Sequence, residues 1–209
     1  MKFLRVFTAA LTLLTTSAFA QFEEGVHYTT LDLPKTSAPE LREYFSFFCP
    51  ACKNMESYLP LIERELDENT KLTKTHAHIL RGASKQVQAW IGVGYEAAVQ
   101  VGWEKRFTQA LFRHIQDDRK PFVGESSLFE IFVTLGMDEE DTKKLIGSFT
   151  VRSLGANHMK LTEKLSSAGG LDAVPTFIAH GKYKLNMKAL SEGDFSKNIA
   201  QITSYLTKY

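Results

Sequence analysis

Cysteine is scarce in this chain: its 209 residues contain two, Cys49 and Cys52. Exported small proteins that rely on disulfides for stability use many, and these close long loops. A bond between two cysteines this close would close a four-residue ring, worth only about 2 kcal/mol by loop entropy. A structural staple is therefore a poor use of the pair. An excess of charge of either sign is also missing, with 25 Lys and Arg against 24 Asp and Glu. That balance gives no electrostatic argument for nucleic acid or anionic lipid as a partner. The one long apolar run, Val6 to Thr16, is too short to span a bilayer comfortably. A second C-x-x-C, a histidine pair at zinc spacing, a phosphate loop, a serine triad and a paired-carboxylate motif are all lacking.

The N-terminus has the pattern of a secretory leader. Lys2 and Arg5 supply a positive start, Val6 to Thr16 the apolar core, and Ala18-Phe19-Ala20 a small-x-small cleavage signal. The expected leader is residues 1–20, cut after Ala20. Its removal takes two positive charges from a formal +1 and leaves −1. The remainder is long enough for one sizeable domain, or one carrying an insertion.

Gln21 to Pro34 reads as an extended lead-in anchored by Val26, Tyr28 and Leu31, and Lys35 to Pro39 as a turn. Leu41 to Phe47 alternates, placing Leu41, Glu43, Phe45 and Phe47 on one strand face. Asn54 to Glu68 predicts a helix kinked at Pro60. Lys71 to His78 alternates again, with Leu72, Lys74, His76 and His78 on one face. From Ser84 the period is helical for some eighty residues. Val87, Trp90, Ile91 and Tyr95 form one stripe, and Phe107, Leu111, Phe112 and Ile115 another. Ser126 or Ser127 and then Asp138 are candidate N-caps, and Gly136 a stop. A last helix carries Val151 to Leu165. Ala173 to Ala179 predicts a strand, followed by a His180-Gly181 turn, a strand over Tyr183 to Leu185, and a helix capped by Asp194. The order is strand, helix, strand, helical block, hairpin, helix. The expected parts are 21–78 and 163–209 as two pieces of one α/β domain, with 79–162 as a helical insertion.

The chemistry concentrates at Phe47-Phe48-Cys49-Pro50-Ala51-Cys52, where a strand runs directly into a helix. A C-x-x-C so placed reads as a redox dithiol. A helix N-terminus offers unpaired N–H groups and the positive end of the dipole, which favour a thiolate. Cys49, ahead of the first turn, is expected to be the exposed, more acidic thiol. Cys52, one turn inside, is expected to be shielded and to act as the resolving thiol. Pro50 suits the first helical position, where a missing N–H costs nothing. Glu43 and Lys74 sit on otherwise apolar faces of two predicted strands, where an unpaired charge is costly. Adjacent strands would pair them. Val174-Pro175 places a proline in a strand pattern, which requires an edge or a bulge.

Tyr28-Thr29-Thr30-Leu31, Phe45-Ser46-Phe47-Phe48-Cys49-Pro50-x-Cys52, Val174-Pro175 and Gly181-Lys182-Tyr183-x-Leu185-Asn186 carry a resemblance. In this order they are similar to the periplasmic DsbA-type thiol:disulfide oxidoreductases. The resemblance implies a thioredoxin-like α/β fold interrupted by an all-helical domain. It implies a Gram-negative periplasmic dithiol oxidase that uses its own Cys49–Cys52 disulfide and no other cofactor. Newly exported, unfolded cysteine-containing proteins would be its substrates, and a DsbB-like quinone-linked membrane oxidase would restore the disulfide. It implies a monomer, a cis Pro175 lying against the dithiol, and a Val174 backbone that receives an extended substrate. It implies a buried Glu43–Lys74 pair beneath the dithiol that tunes or relays the Cys52 proton, with Glu56 as an assisting acid. Thr176 stands where the archetype has alanine, leaving substrate contact and thiol tuning both open to it.

Ala51 departs from the common C-P-H-C. Histidine there can donate to the thiolate or place positive charge beside it, and alanine can do neither. A hydrogen bond to a charged group is worth roughly 1.5–3 kcal/mol, or about 30–60 mV for a two-electron couple. A less oxidising disulfide than in C-P-H-C relatives is expected. Ala51→His is expected to raise the reduction potential by that amount against a glutathione buffer, and an unchanged or lower potential would count against the argument.

His76 and His78 share a strand face but lack the partners a tetrahedral zinc site requires. His27, His114, His158 and His180 form no constellation. Two other functions use the same residues. A reductase or isomerase would be found mostly reduced, and a peptide-binding holdase would keep its activity without Cys49.

Overall fold

The computed structural model describes residues 22–80 and 83–208. The leader over residues 1–20, its cleavage point, and Gln21 lie outside the described residues.

The described strands form one mixed sheet: β1 Tyr28–Thr30, β2 Glu40–Phe45, β3 Lys71–His76, β4 Thr176–Ala179 and β5 Tyr183–Leu185, in the order β1-β5-β4-β2-β3. β2 and β3 are parallel, and the remaining pairs are antiparallel. A parallel pair needs a crossover, supplied here by α1 Pro50–Met55 and α2 Leu59–Glu65. β2 is central and covered on both sides, so Tyr44 is buried along with Leu41, Glu43 and Phe45.

Between β3 and β4 lie α3 Lys85–Gln100, α4 Glu104–Phe112, a π-helical turn Arg113–Asp117, α5 Glu125–Thr134, α6 Glu139–Gly147 and α7 Phe149–Ser167. α7 runs unbroken past residue 162. α8, Phe195–Thr207, closes the chain. Ser84, Asp138, Ser148 and Asp194 cap their helices through side-chain oxygens, which satisfies otherwise orphaned N–H groups.

The insertion and the dithiol share a core. Ile91, Tyr95, Phe107, Leu111 and Phe112 pack in one cluster with Phe45, Phe47, Cys49 and Cys52. A second cluster joins Leu41, Phe177, Ile62 of α2, and Ile199, Ile202 and Leu206 of α8. α3 and α7 approach backbone to backbone. A Cβ on Gly155 would lie 2.6 Å from Val93 Cα, and one on Gly92 would lie 2.8 Å from the Gly155 carbonyl oxygen. Glycine alone fits there. This contact brings α7 close enough to β3 for the His76 N–H to donate to His158 Nδ1 at 2.8 Å.

Several boundaries differ from the sequence reading. The helix expected over Asn54 to Glu68 is two helices, beginning at Pro50 and restarting at Leu59. Pro60 has no N–H to give to residue 56 and clashes with a continuing helix, so it sits in a new first turn instead of a kink. The strand expected from Ala173 starts at Thr176, just after the residue that cannot donate to a ladder. β2 and β3 end at Phe45 and His76, short of Phe47 and His78. The cap of α5 is Gly124, at φ 113°, not Ser126 or Ser127. Val26 is exposed, and Phe22 anchors the lead-in, packing against His27 and Tyr205.

Candidate active site

Beyond Phe45 the chain leaves the sheet through Ser46-Phe47-Phe48. The Cys49 N–H donates to the Ser46 carbonyl at 3.0 Å, and the Phe48 N–H to Ser46 Oγ at 3.2 Å. This tight local turn delivers Cys49 to the N-cap of α1 with extended backbone, φ −105° and ψ 115°, and Pro50 in the first turn. The Cys52 N–H, one of the donors a helix start leaves unpaired, reaches Cys49 Sγ at 3.4 Å. Cys49 Sγ in turn donates to the Val174 carbonyl at 3.3 Å. Cys52 Sγ accepts from the Ser46 N–H at 3.5 Å. Both cysteines are free thiols.

Cys49 retains 7% of its surface and Cys52 none. The expected order of access therefore holds, but Cys49 is not the exposed thiol the sequence suggested. Phe48 and Val174 pack against the cluster that contains it. Burial pushes the Cys52 thiol far above its usual range. The Ser46 N–H opposes this, and Cys49 and the Glu43 charge add to it. Ala51 is exposed, so position 51 has room for a larger side chain.

Val174-Pro175 is a cis peptide, on a loop that touches Cys49 from the far side of the chain. Thr176 is buried, and its hydroxyl donates to the Ala173 carbonyl at 2.9 Å. It ties down the loop, a use neither alternative anticipated.

Glu43 and Lys74 stand directly opposite in the parallel β2–β3 register. Lys74 Nζ lies 3.7 Å from Glu43 Oε2, which is a charge contact but too long for a hydrogen bond. Lys74 pairs more closely with Glu56, the C-cap of α1, and lies 4.3 Å above the Phe45 ring. Glu43 is fully buried, and neither of its oxygens finds a protein hydrogen-bond donor. Burial raises its carboxyl to about 7 and the Glu56 charge adds to this, while Lys74 pulls the other way. A groove of about 420 Å³ lined by Glu56, Lys74, Glu104 and Thr108 opens this cluster to solvent.

His76 is fully buried and its ring stacks on Phe47, with centroids 5.6 Å apart. Burial holds it well below the usual histidine range, with His78 and His158 adding to the effect. His158 Nε2 lies 2.7 Å from Glu96 Oε1. With Nδ1 already accepting from a backbone N–H, Nε2 must carry the proton. Among the described residues no group of three or more His, Cys, Asp or Glu is placed to hold a metal. Sequence reasoning missed Ser46, and also Gln116, whose side chain reaches the redox loop from the insertion. A polar residue at the end of an apolar stripe gives no signal of what it faces.

A buried dithiol across a strand-to-helix joint, faced by a Val-Pro loop of the same sheet, defines a thiol:disulfide oxidoreductase of the thioredoxin-like class. Residues 40–200 match the model of the DSBA-like thioredoxin domain. The thiol:disulfide interchange protein DsbA of Escherichia coli K12 is 31% identical over 216 aligned positions, covering 100% of this chain and 99% of its own length. The crystal structure of DsbA from Proteus mirabilis superposes with a TM-score of 0.76 at 25% identity, covering 90% of this chain and 98% of that one. A complex of the Proteus DsbA with a non-covalently bound peptide gives 0.75 at 26% identity, covering 91% and 100%. The chain belongs to the DSBA-like thioredoxin family. Its activity is that of a dithiol oxidase acting through its own cysteines without a separate cofactor.

Proposed function

We propose that Cys49 is the sulphur that substrate attacks and Cys52 the one that leaves. In the oxidised protein a substrate thiolate attacks Cys49 Sγ, the Cys49–Cys52 bond breaks, and Cys52 departs with the electron pair. The substrate's second thiolate then attacks its own sulphur in the mixed disulfide and releases Cys49 as thiolate. The substrate has lost two electrons and the protein holds them. The observation that carries this reading is the difference between the two sulphurs. Cys49 lies against a helix N–H and a loop carbonyl, and Cys52 is sealed.

Sealing makes Cys52 a poor thiolate, so it must gain a proton as it leaves. Glu43, with a carboxyl near 7 and a charge felt at Cys52, is matched to that transfer at neutral pH. Lys74 and half-buried Glu56 connect Glu43 to the groove and so to solvent. Val174 and Pro175, on a loop held by Thr176, receive an extended peptide, and Pro50 and Ala51 frame the entry. The peptide-bound Proteus relative supports a peptide as ligand.

The same reading takes the chain as a periplasmic monomer, cut after Ala20, with parts 21–78 and 163–209 around an insertion over 79–162. A DsbB-like quinone-linked membrane oxidase re-forms the disulfide. No described helix is long and apolar enough to cross a membrane, so the partner would carry the membrane span. The test is to mix oxidised protein with a reduced, unfolded two-cysteine polypeptide. One substrate disulfide should form per protein reduced. Reduction of substrate disulfides by the dithiol form, without oxidation in the other direction, would favour the reductase.

A further inference from the structure

The insertion touches the redox loop itself. Gln116 lies in the π-helical turn Arg113–Asp117, and its Nε2 donates to the Phe47 carbonyl at 2.8 Å and to the Cys49 carbonyl at 3.1 Å. Both partners are acceptors, so only the nitrogen end of the amide can face them. One turn earlier Phe112 packs on the Phe47 ring, with centroids 4.7 Å apart. Residues 112 and 116 share a side of the helix. One residue further on, Asp117 pairs with Lys53 of α1. The Asp118 N–H closes on the Arg113 carbonyl at 2.9 Å, five residues back. Such widened turns recur at functional sites.

The Cys49 backbone aims its sulphur. The 3.4 Å contact from the Cys52 N–H and the 3.3 Å contact to Val174 exist only while Cys49 keeps its N-cap conformation. Ser46 fixes that conformation from the strand side, and Gln116 fixes it from the insertion side.

We propose that Gln116 is a positioning residue for the dithiol. By holding the Phe47 and Cys49 carbonyls it keeps Cys49 Sγ under the Cys52 N–H, which stabilises the reduced protein relative to its disulfide. The disulfide has no thiolate charge to gain from that donor. This rests on the reading of Cys49–Cys52 as the redox pair.

The test is equilibration of Gln116→Leu against a glutathione redox buffer. Leucine keeps approximate size and removes both donors. The equilibrium constant for oxidising glutathione is expected to fall about three- to tenfold, the usual worth of about one hydrogen bond. The rate of exchange with a reduced unfolded polypeptide is expected to fall by a similar factor. Gln116→Glu, the same shape without a donor, should fall at least as far. If the leucine variant does not fold, Gln116→Asn serves in its place: it keeps the amide but reaches less far, and should lie between wild type and Gln116→Glu. Folded variants with an unchanged constant and rate, differing only in melting temperature, overturn the proposal. Cys49→Ser separates the two claims. It should lose exchange whatever occupies position 116, and if it kept exchange, the dithiol reading would fail while the Gln116 contacts stood.

Discussion

Cys49→Ser is expected to reduce oxidation of substrate dithiols to the uncatalysed background, and Cys52→Ser to stop turnover in a different way. The asymmetry follows from burial and hydrogen bonding. Cys49 alone has a helix N–H aimed at its sulphur and keeps some surface, while Cys52 is fully covered. With Cys49 replaced, the remaining thiol is inaccessible and its burial opposes the thiolate that exchange requires. With Cys52 replaced, the Cys49 thiolate still attacks a substrate disulfide. The resulting mixed disulfide has no neighbouring thiol to release it. The measurement is non-reducing electrophoresis and mass analysis after incubation with a disulfide-bonded unfolded protein. A stable adduct is expected for Cys52→Ser only. Adducts of equal yield from both variants would contradict the assignment of roles.

Glu43→Gln is expected to stabilise the protein above neutral pH and to remove one component of its pH dependence. Burial raises the folded Glu43 carboxyl to about 7, against an ordinary value of 4.5. Between those values the folded state binds more protons than the unfolded state, so the stability this group contributes is lost as pH rises. The direction is opposite to that of a salt-bridged carboxylate. A gap of that size corresponds to about 3 kcal/mol. Glutamine resembles the neutral acid, and Lys74 keeps Glu56 as a partner. Denaturant unfolding of wild type and Glu43→Gln should agree at pH 4.5 and separate by about 2–3 kcal/mol at pH 8, the variant being the more stable. At pH 7 the variant should also exchange more slowly, because the proton for Cys52 is lost. A variant that is less stable at pH 8, or one with an unchanged exchange rate, would remove Glu43 from the proton path.

The redox stretch was legible because its signals are local. Cysteine spacing, Pro50 at a first turn and the change from strand to helix period all lie within a dozen residues. Glu43 and Lys74 were legible as a pair because a charge on an apolar strand face needs a partner, and parallel register set them opposite each other. Asp138 and Asp194 behaved as caps for similarly local reasons. One helix kinked at Pro60 was expected where the chain forms two. Proline disrupts a helix in its interior and suits the first turn of a new one, and the sequence period does not separate these outcomes. The family resemblance placed Val174-Pro175 against the dithiol, but the covering of Cys49 was not legible in the local pattern, since Val174 is distant in sequence and close in space. Gln116 was hidden for the same reason. Its partners are backbone carbonyls, which carry no sequence signature.

Cys49–Cys52 is expected to be an oxidising disulfide, less oxidising than in C-P-H-C relatives because Ala51 offers no donor to the thiolate. Its reduction potential against glutathione is the deciding measurement. The established reference for DsbA is about −120 mV and for thioredoxin about −270 mV. Losing one charge-assisted hydrogen bond places this protein at about −150 to −180 mV. A value at or below thioredoxin's would contradict the oxidase reading, and a value at DsbA's own would contradict the role given to Ala51.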